Sequence, residues 1–241
     1  MNRLGAYGYL IWRLLGVLRY SWRDRRRVLY QLDHIGVNSI PLVLLIGFFS
    51  GALIAWQAAY QFKGMVSMAV LGGQVLKALM MEMSPVLTAL VISGRIGASM
   101  TAEIGAMKIT EQIDALRTMS IDPVRYVVLP RFLGLGLMMP VLVVFALTIA
   151  VAGAYLVSAY FLDLTYQVFF QSVRDYFQWG DLVGGLIKGT IFGMMIATIG
   201  CHVGMEVGGG AQGLGRATIA SFVVSAVCIL AGDFLLWIIL F

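Results

Sequence analysis

Five ionisable side chains stand inside otherwise apolar stretches: Lys77, Glu82, Arg95, Glu103 and Asp233. A charge held in a bilayer interior is costly, so such positions mark transport paths, relays or internal ion pairs. Glu82 is read in two ways, as a carboxylate lining a polar cavity or as one bonded to a neighbour or the backbone. Arg95 and Glu103 lie eight positions apart with Ser99 between them, which puts them on one helix face as a structural pair. Asp233 reads as a structural charge. With Arg216 these make a set of structural or gating charges: Arg95, Glu103, Arg216 and Asp233. His34 and His202 are isolated, and no second ligand stands at metal-binding spacing, so no metal site is expected. Cys201 and Cys228 both sit in apolar runs and read as small buried hydrophobes. The glycine-rich run 208–216 lacks the Gly-Lys-Ser/Thr ending of a phosphate loop, and no such ending occurs elsewhere. It reads as a flexible turn. No nucleophile–base constellation is present, so no catalytic residue is expected and the chain is not expected to hydrolyse ATP.

The elements that position these groups follow from composition. Of 241 residues 60% are hydrophobic and 12% charged, where a soluble domain carries about 25% charge. The fold class expected is an all-α polytopic membrane protein. It has five transmembrane helices, an N-terminal interfacial amphipathic helix, a cytoplasmic helix between spans and an external amphipathic helix. Seven arginines fall in residues 1–34, and Tyr7, Ile11, Leu14, Leu18 and Trp22 recur at helical spacing. That pattern fits a helix lying in the membrane interface with Trp12 and Trp22 at headgroup level. Arg13 and Arg19 interrupt the apolar region a signal peptide needs. The net charge of +5 is a topology signal and not a nucleic-acid patch, because Arg23–Arg27 abut a span.

Spans are expected near 40–60, within 69–107, and at 132–162, 182–203 and 217–241. The second block is too long for one simple crossing, since about 20 helical residues suffice. Tilt, protrusion or a break at Ser84-Pro85 would each fit. An external turn is expected at Lys63-Gly64. Asp163 is expected to cap an external helix with Tyr166, Phe170, Val173 and Phe177 along one side. With a cytoplasmic N-terminus, twelve of the seventeen Lys and Arg face the cytosol and the C-terminus lies outside.

The stretch Gly94–Arg131 is the longest charge-bearing run beyond the N-terminus. Gly97, Thr101 and Gly105 fall every fourth position, which admits a close helix neighbour in a membrane. Thr110–Met119 then reads as a short amphipathic helix, with Ile109, Ile113 and Leu116 on one side, closed by Asp122-Pro123. A short polar helix between spans is a place where a membrane protein can be gripped from the aqueous side.

The run Thr101–Leu116 closely resembles the MlaE/YrbE family of ABC-transporter permeases. Gly94-Arg95, Asp122-Pro123, Pro130-Arg131, Gly215-Arg216-Ala217-Thr218 and Asp233-Phe234-Leu235 match as well. The resemblance covers roughly 36–241, so the chain divides into the interfacial helix, 1–34, and an MlaE-like permease transmembrane domain, 35–241. It implies a homodimer in the bacterial inner membrane, bound to an ABC ATPase and to an MCE-domain substrate-binding protein. It implies movement of glycerophospholipid between inner and outer membranes. ATP and magnesium would be bound by the ATPase, leaving no cofactor in this chain. Glu111, Gln112, Ile113, Asp114, Ala115 and Leu116 would form the coupling helix. Ile54, Gln57, Gln61, Met65, Met81 and Glu82 would line the lipid cavity. One place departs: many relatives read Arg-Glu-Leu-Gly-Pro where this chain has Met81-Glu82-Met83-Ser84-Pro85, which removes a cation that could meet a lipid phosphate.

Two rival functions remain. An ion-gradient-driven secondary transporter would use Glu82, Arg95, Glu103 and Asp233 as its path, although no inverted repeat is visible. A non-transporting scaffold for an ATPase would leave substitutions of Glu82 and Gln57 silent.

Overall fold

The computed structural model describes residues 3–20, 25–62 and 68–240, and among these there are no strands. Lys63-Gly64 and Met65 lie outside the described residues. Among the described residues eleven α-helices follow one another: α1 Arg3–Val17, α2 Arg25–Gly36, α3 Ile40–Phe62, α4 Leu71–Ala78, α5 Ser84–Ile92, α6 Ala98–Ile109, α7 Gln112–Thr118, α8 Leu129–Phe161, α9 Tyr166–Tyr176, α10 Trp179–Met205 and α11 Gly210–Leu240. Joined through short 3₁₀ or π-helical turns, they give five runs long and apolar enough to cross a membrane: Arg25–Gln61, Leu71–Ile109, Val124–Phe161, Trp179–Met205 and Gly210–Leu240.

The second run resolves the length problem posed by the sequence. It is continuous over 39 residues, with π-helical turns at Leu79–Met83 and Ser93–Gly97. Pro85 lacks an N–H and its ring crowds the carbonyl four residues back, at Met81. The wider turn placed just before it absorbs that crowding without ending the helix. Pro140 likewise lies inside α8 without breaking it.

The expected N-terminal helix falls on α1, a 3₁₀ turn and α2, with residues 21–24 outside the described residues. α1 ends at Val17 in a 3₁₀ turn, and α2 runs on through Val37–Ser39 into α3. The glycine-rich run is also shorter as a link than its composition suggests. Gly209 and Gly210 take φ of +79° and +65°, and helix resumes at Gly210, so Gly213, Gly215 and Arg216 are helical. A Cβ on Gly213 would lie 1.7 Å from the Gly208 carbonyl oxygen, so glycine there lets the turn close on the helix start.

The chain forms two compact units. The first takes residues 1–38, 89–138 and 190–232. Its α6 and α10 meet backbone to backbone: Cβ atoms on Gly97 and Gly200 would lie 3.0 Å from Ile196 Cγ2 and 3.2 Å from the Gly97 carbonyl oxygen. Thr101 Oγ1 sits 2.9 Å from the Gly97 carbonyl, 3.2 Å from the Gly200 carbonyl and 2.8 Å from Ser221 Oγ. The Gly97–Thr101–Gly105 stripe therefore does admit a close neighbour. α1 packs here too, with Leu10 and Leu14 buried while Tyr9 and Trp12 stay exposed.

The second unit takes residues 39–88, 139–189 and 233–241. Gly47, Gly51, Ala55 and Ala59 repeat every fourth residue along α3 and face Ala146, Ala150 and Ala154 of α8. A Cβ on Gly51 would stand 1.9 Å from the Ala150 carbonyl oxygen. Such small-residue stripes replace the hydrophobic drive that lipid removes. Leu71, Val75 and Leu79 complete the core with Phe169 from α9. The buried side of α9 is Phe169 and Ser172, joined by the half-buried Val173 and Tyr176, whereas Tyr166 is exposed. Of the residues expected on one side, Phe170 and Val173 do pack against this core, and Ser172 adds a hydrogen bond from the Gly73 N–H at 2.9 Å. Asp163 does not cap α9. It takes φ +52°, and the N-cap is Thr165, with no side-chain bond.

Candidate functional site

The α6–α7 junction is built from backbone reversals. The Thr110 hydroxyl donates to the Ala106 carbonyl at 2.8 Å, and the Glu111 N–H reaches the Lys108 carbonyl at 3.2 Å. Glu111 then takes φ +58°, and α7 starts at Gln112. Its far end closes in a second left-handed residue, Ser120, with φ +59°. The Ile121 N–H bonds back to the Leu116 carbonyl at 2.9 Å. Left-handed backbone is unfavourable for a side chain such as glutamate, and such local departures gather at functional segments.

Ile113 and Leu116 are the buried anchors of α7, one turn apart. Glu111, Gln112 and Ala115 are exposed, as are Thr118 and Met119 beyond them. Ile109, expected on the inner side, is exposed at the end of α6. Asp114 ties the helix to its neighbour: Lys108 Nζ donates to it at 2.8 Å and Arg117 at 3.0 Å. The Lys108 hydrogen bond, followed by the charges of Lys108 and Arg117, holds the Asp114 carboxyl below its ordinary value.

Asp122-Pro123 starts an element here and does not close one. Asp122 Oδ1 accepts the Val124 N–H at 3.0 Å, a side-chain cap with proline as the first helical residue. The same oxygen accepts Arg13 of α1 at 2.8 Å. Tyr7 of α1 reaches Thr198 Oγ1 at 2.9 Å, and its ring packs edge-on against His202.

The intramembrane charges do not pair as the sequence suggested. Arg95 donates to the Asn38 carbonyl, and Glu103 accepts Arg131 at 2.8 Å. Eight residues rise about 12 Å along a helix, and the π-helical turn containing Arg95 alters the facing as well. Asp233 accepts Lys188 Nζ at 2.7 Å, and Lys188 is 0% exposed. Its ammonium also lies 5.2 Å from the Trp237 ring centre. Lys188 escaped the set of interior charges, although a lone lysine inside an apolar helix with an aspartate similarly placed in another was a readable signal. Lys77 lies 3.7 Å from Asp181.

Arg216 is exposed on the first turns of α11 and borders a groove of about 700 Å³ with Tyr7, His202 and Glu206. Of the residues assigned to a lipid cavity, Ile54 packs against the α3–α4–α8 core, Gln57 and Gln61 are exposed on α3, and Met81 and Glu82 are half-buried on the first π-helical turn. Met65 lies outside the described residues.

The model of the family Permease MlaE matches residues 28–239. A probable ABC transporter permease protein of Rickettsia typhi is 40% identical, over 89% of this chain and 83% of that protein. One of Synechocystis is 37% identical, over 88% and 81%. The Arabidopsis thaliana chloroplastic protein named trigalactosyldiacylglycerol 1 is 32% identical, over 90% of this chain and 61% of that protein. A family match across seven-eighths of the sequence, with relatives at this identity over most of their own length, places the chain in the MlaE permease family.

Proposed function

We propose that this chain is the membrane subunit of an ABC transporter that moves glycerophospholipids between the inner and outer membranes and so maintains outer-membrane lipid asymmetry. The observation that carries this reading is α7: a short helix with two buried anchors, a left-handed residue at each end and an exposed outer face. That is the form of a rigid lever that an ATPase grips from the aqueous side. Anchoring by Ile113 and Leu116 passes movement of the outer face into α6 and the following span. ATP and magnesium bind to the separate ATPase and not to this chain. A glycerolipid cargo in general is supported by the relative named for a galactolipid, a lipid without phosphate.

In this reading the chain is a homodimer in the bacterial inner membrane, with a cytoplasmic N-terminus and a periplasmic C-terminus, and an MCE-domain protein exchanges lipid with it. Ile54, Gln57, Gln61, Met65, Met81 and Glu82 line the lipid path. Arg95, Glu103 and Asp233 are each engaged in holding helices together, which speaks against their use as the path of an ion-driven carrier. The test is Ala115→Arg on the exposed face of α7, in the complex with its ATPase reconstituted in liposomes. Lipid-stimulated ATP hydrolysis should fall to the unstimulated level while the permease still purifies as a folded dimer. An unchanged ATPase cycle would overturn the lever.

A further inference from the structure

Within the first unit, residues other than those of α7 and of the proposed lipid path form a basic cleft. Arg26, Arg27, Tyr30 and Gln31 of α2, with Met107, Tyr126, Val127, Pro130 and Arg131, enclose a cleft of about 470 Å³. Three guanidinium groups therefore line one small space. The Arg27 guanidinium carbon lies 3.9 Å from the centre of the Tyr126 ring, a cation–π contact. Arg131 is nine-tenths buried. One of its terminal nitrogens is engaged by Glu103 at 2.8 Å, while its Nε has no hydrogen-bond partner among the described residues. A buried guanidinium N–H without an acceptor is costly, and an acceptor oxygen supplied from outside would remove that cost.

Fork-shaped guanidinium donors match phosphate oxygens in geometry and charge. The cleft opens at the head of the 37-residue run Arg25–Gln61, just before its apolar stretch begins, and Met107, Val127 and Pro130 supply apolar wall. Basic pockets between membrane helices at that level take lipid head groups. From this juxtaposition of Arg26, Arg27 and the under-satisfied Arg131 we propose a binding site for the phosphate of an anionic membrane lipid. The site does not depend on what the transporter carries, because it requires only that the chain sits in a bilayer. An occupant would neutralise the arginines and pin α2 to the start of the third run.

The test uses the full chain in phosphatidylcholine nanodiscs doped with phosphatidylglycerol, with retained lipid counted by native mass spectrometry. The wild type should retain phosphatidylglycerol over phosphatidylcholine by at least tenfold. Arg26→Gln, at an exposed position, should reduce that preference several-fold, and Arg26→Gln with Arg27→Gln should abolish it; the single variant decides the matter if the double fails to fold. Arg174→Gln on α9 should change nothing. Glu103→Gln releases the Arg131 nitrogen and should raise retention. A preference that survives in a folded Arg26→Gln protein would overturn the site. So would millimolar inorganic phosphate binding the chain and displacing the lipid, because the cleft would then serve a soluble anion.

Discussion

Lys188→Met removes one half of an ion pair that has almost no access to solvent. The two charges are 2.7 Å apart, with side chains 0% and 19% exposed. At an effective dielectric of 20 their attraction is about 6 kcal/mol, most of which is offset by the desolvation of both groups. The single variant loses the attraction and keeps the desolvated aspartate, so its cost should be about 3 kcal/mol, within the range for halved buried pairs. That is roughly a hundredfold change in the folded-to-unfolded ratio. Asp233→Leu should cost at least as much, because the lysine left behind is the more deeply buried partner. Lys188→Met with Asp233→Leu should return to within about 1 kcal/mol of the wild type, since apolar replacements of a whole pair are often neutral. The assay is thermal unfolding of the purified protein in one detergent, read by intrinsic tryptophan fluorescence, with the three variants and wild type forming a double-mutant cycle. A double variant as unstable as the two singles combined, or singles indistinguishable from wild type, would refute the pairing as the source of stability.

Gly51→Val should prevent close approach of α3 and α8, because its first side-chain atom would stand 1.9 Å from the Ala150 carbonyl oxygen; loss of the folded fraction on size-exclusion chromatography checks this. Glu111→Gly relieves a left-handed glutamate, so thermal stability should hold or rise by up to about 1 kcal/mol, while lipid-stimulated ATPase activity of the complex falls if the Glu111 side chain is part of the grip. The depressed Asp114 carboxyl contributes stability that is fully present above its ordinary value of 3.8 and is lost as pH falls through the lower folded value. Melting measured from pH 6 down to about 2 should therefore lose a component in acid that Asp114→Asn lacks at every pH.

Much of the architecture was legible because apolar run length is a one-dimensional signal. The five spans, the Gly97–Thr101–Gly105 contact and the short helix with Ile113 and Leu116 inward all follow from local spacing. What failed depended on partners distant in sequence. Asp122-Pro123 carries the same letters whether it stops one helix or starts the next, and the Val124 N–H and Arg13 decide it. Arg95 and Glu103 were paired by periodicity, yet Asn38 and Arg131 lay nearer. The π-helical turns leave no periodic trace, since each widens only five residues. The Gly47–Gly51–Ala55–Ala59 stripe was readable by the rule applied to α6 and was missed. Of the lipid-path residues, the sequence offers only their placement on or between the first two spans.

The seat of α1 bears on how the protein is made. Arg13 meets a residue 109 positions later, and Tyr7 meets one 191 positions later. α1 leaves the ribosome long before either partner exists, so it cannot settle until α10 has been synthesised. In the interval its Leu10 and Leu14 face needs other cover, and the bilayer surface offers it. Docking of α1 is thus a late event in assembly, one that reports on completion of the first unit. A chain stalled before Thr198 would leave this helix accessible to protease.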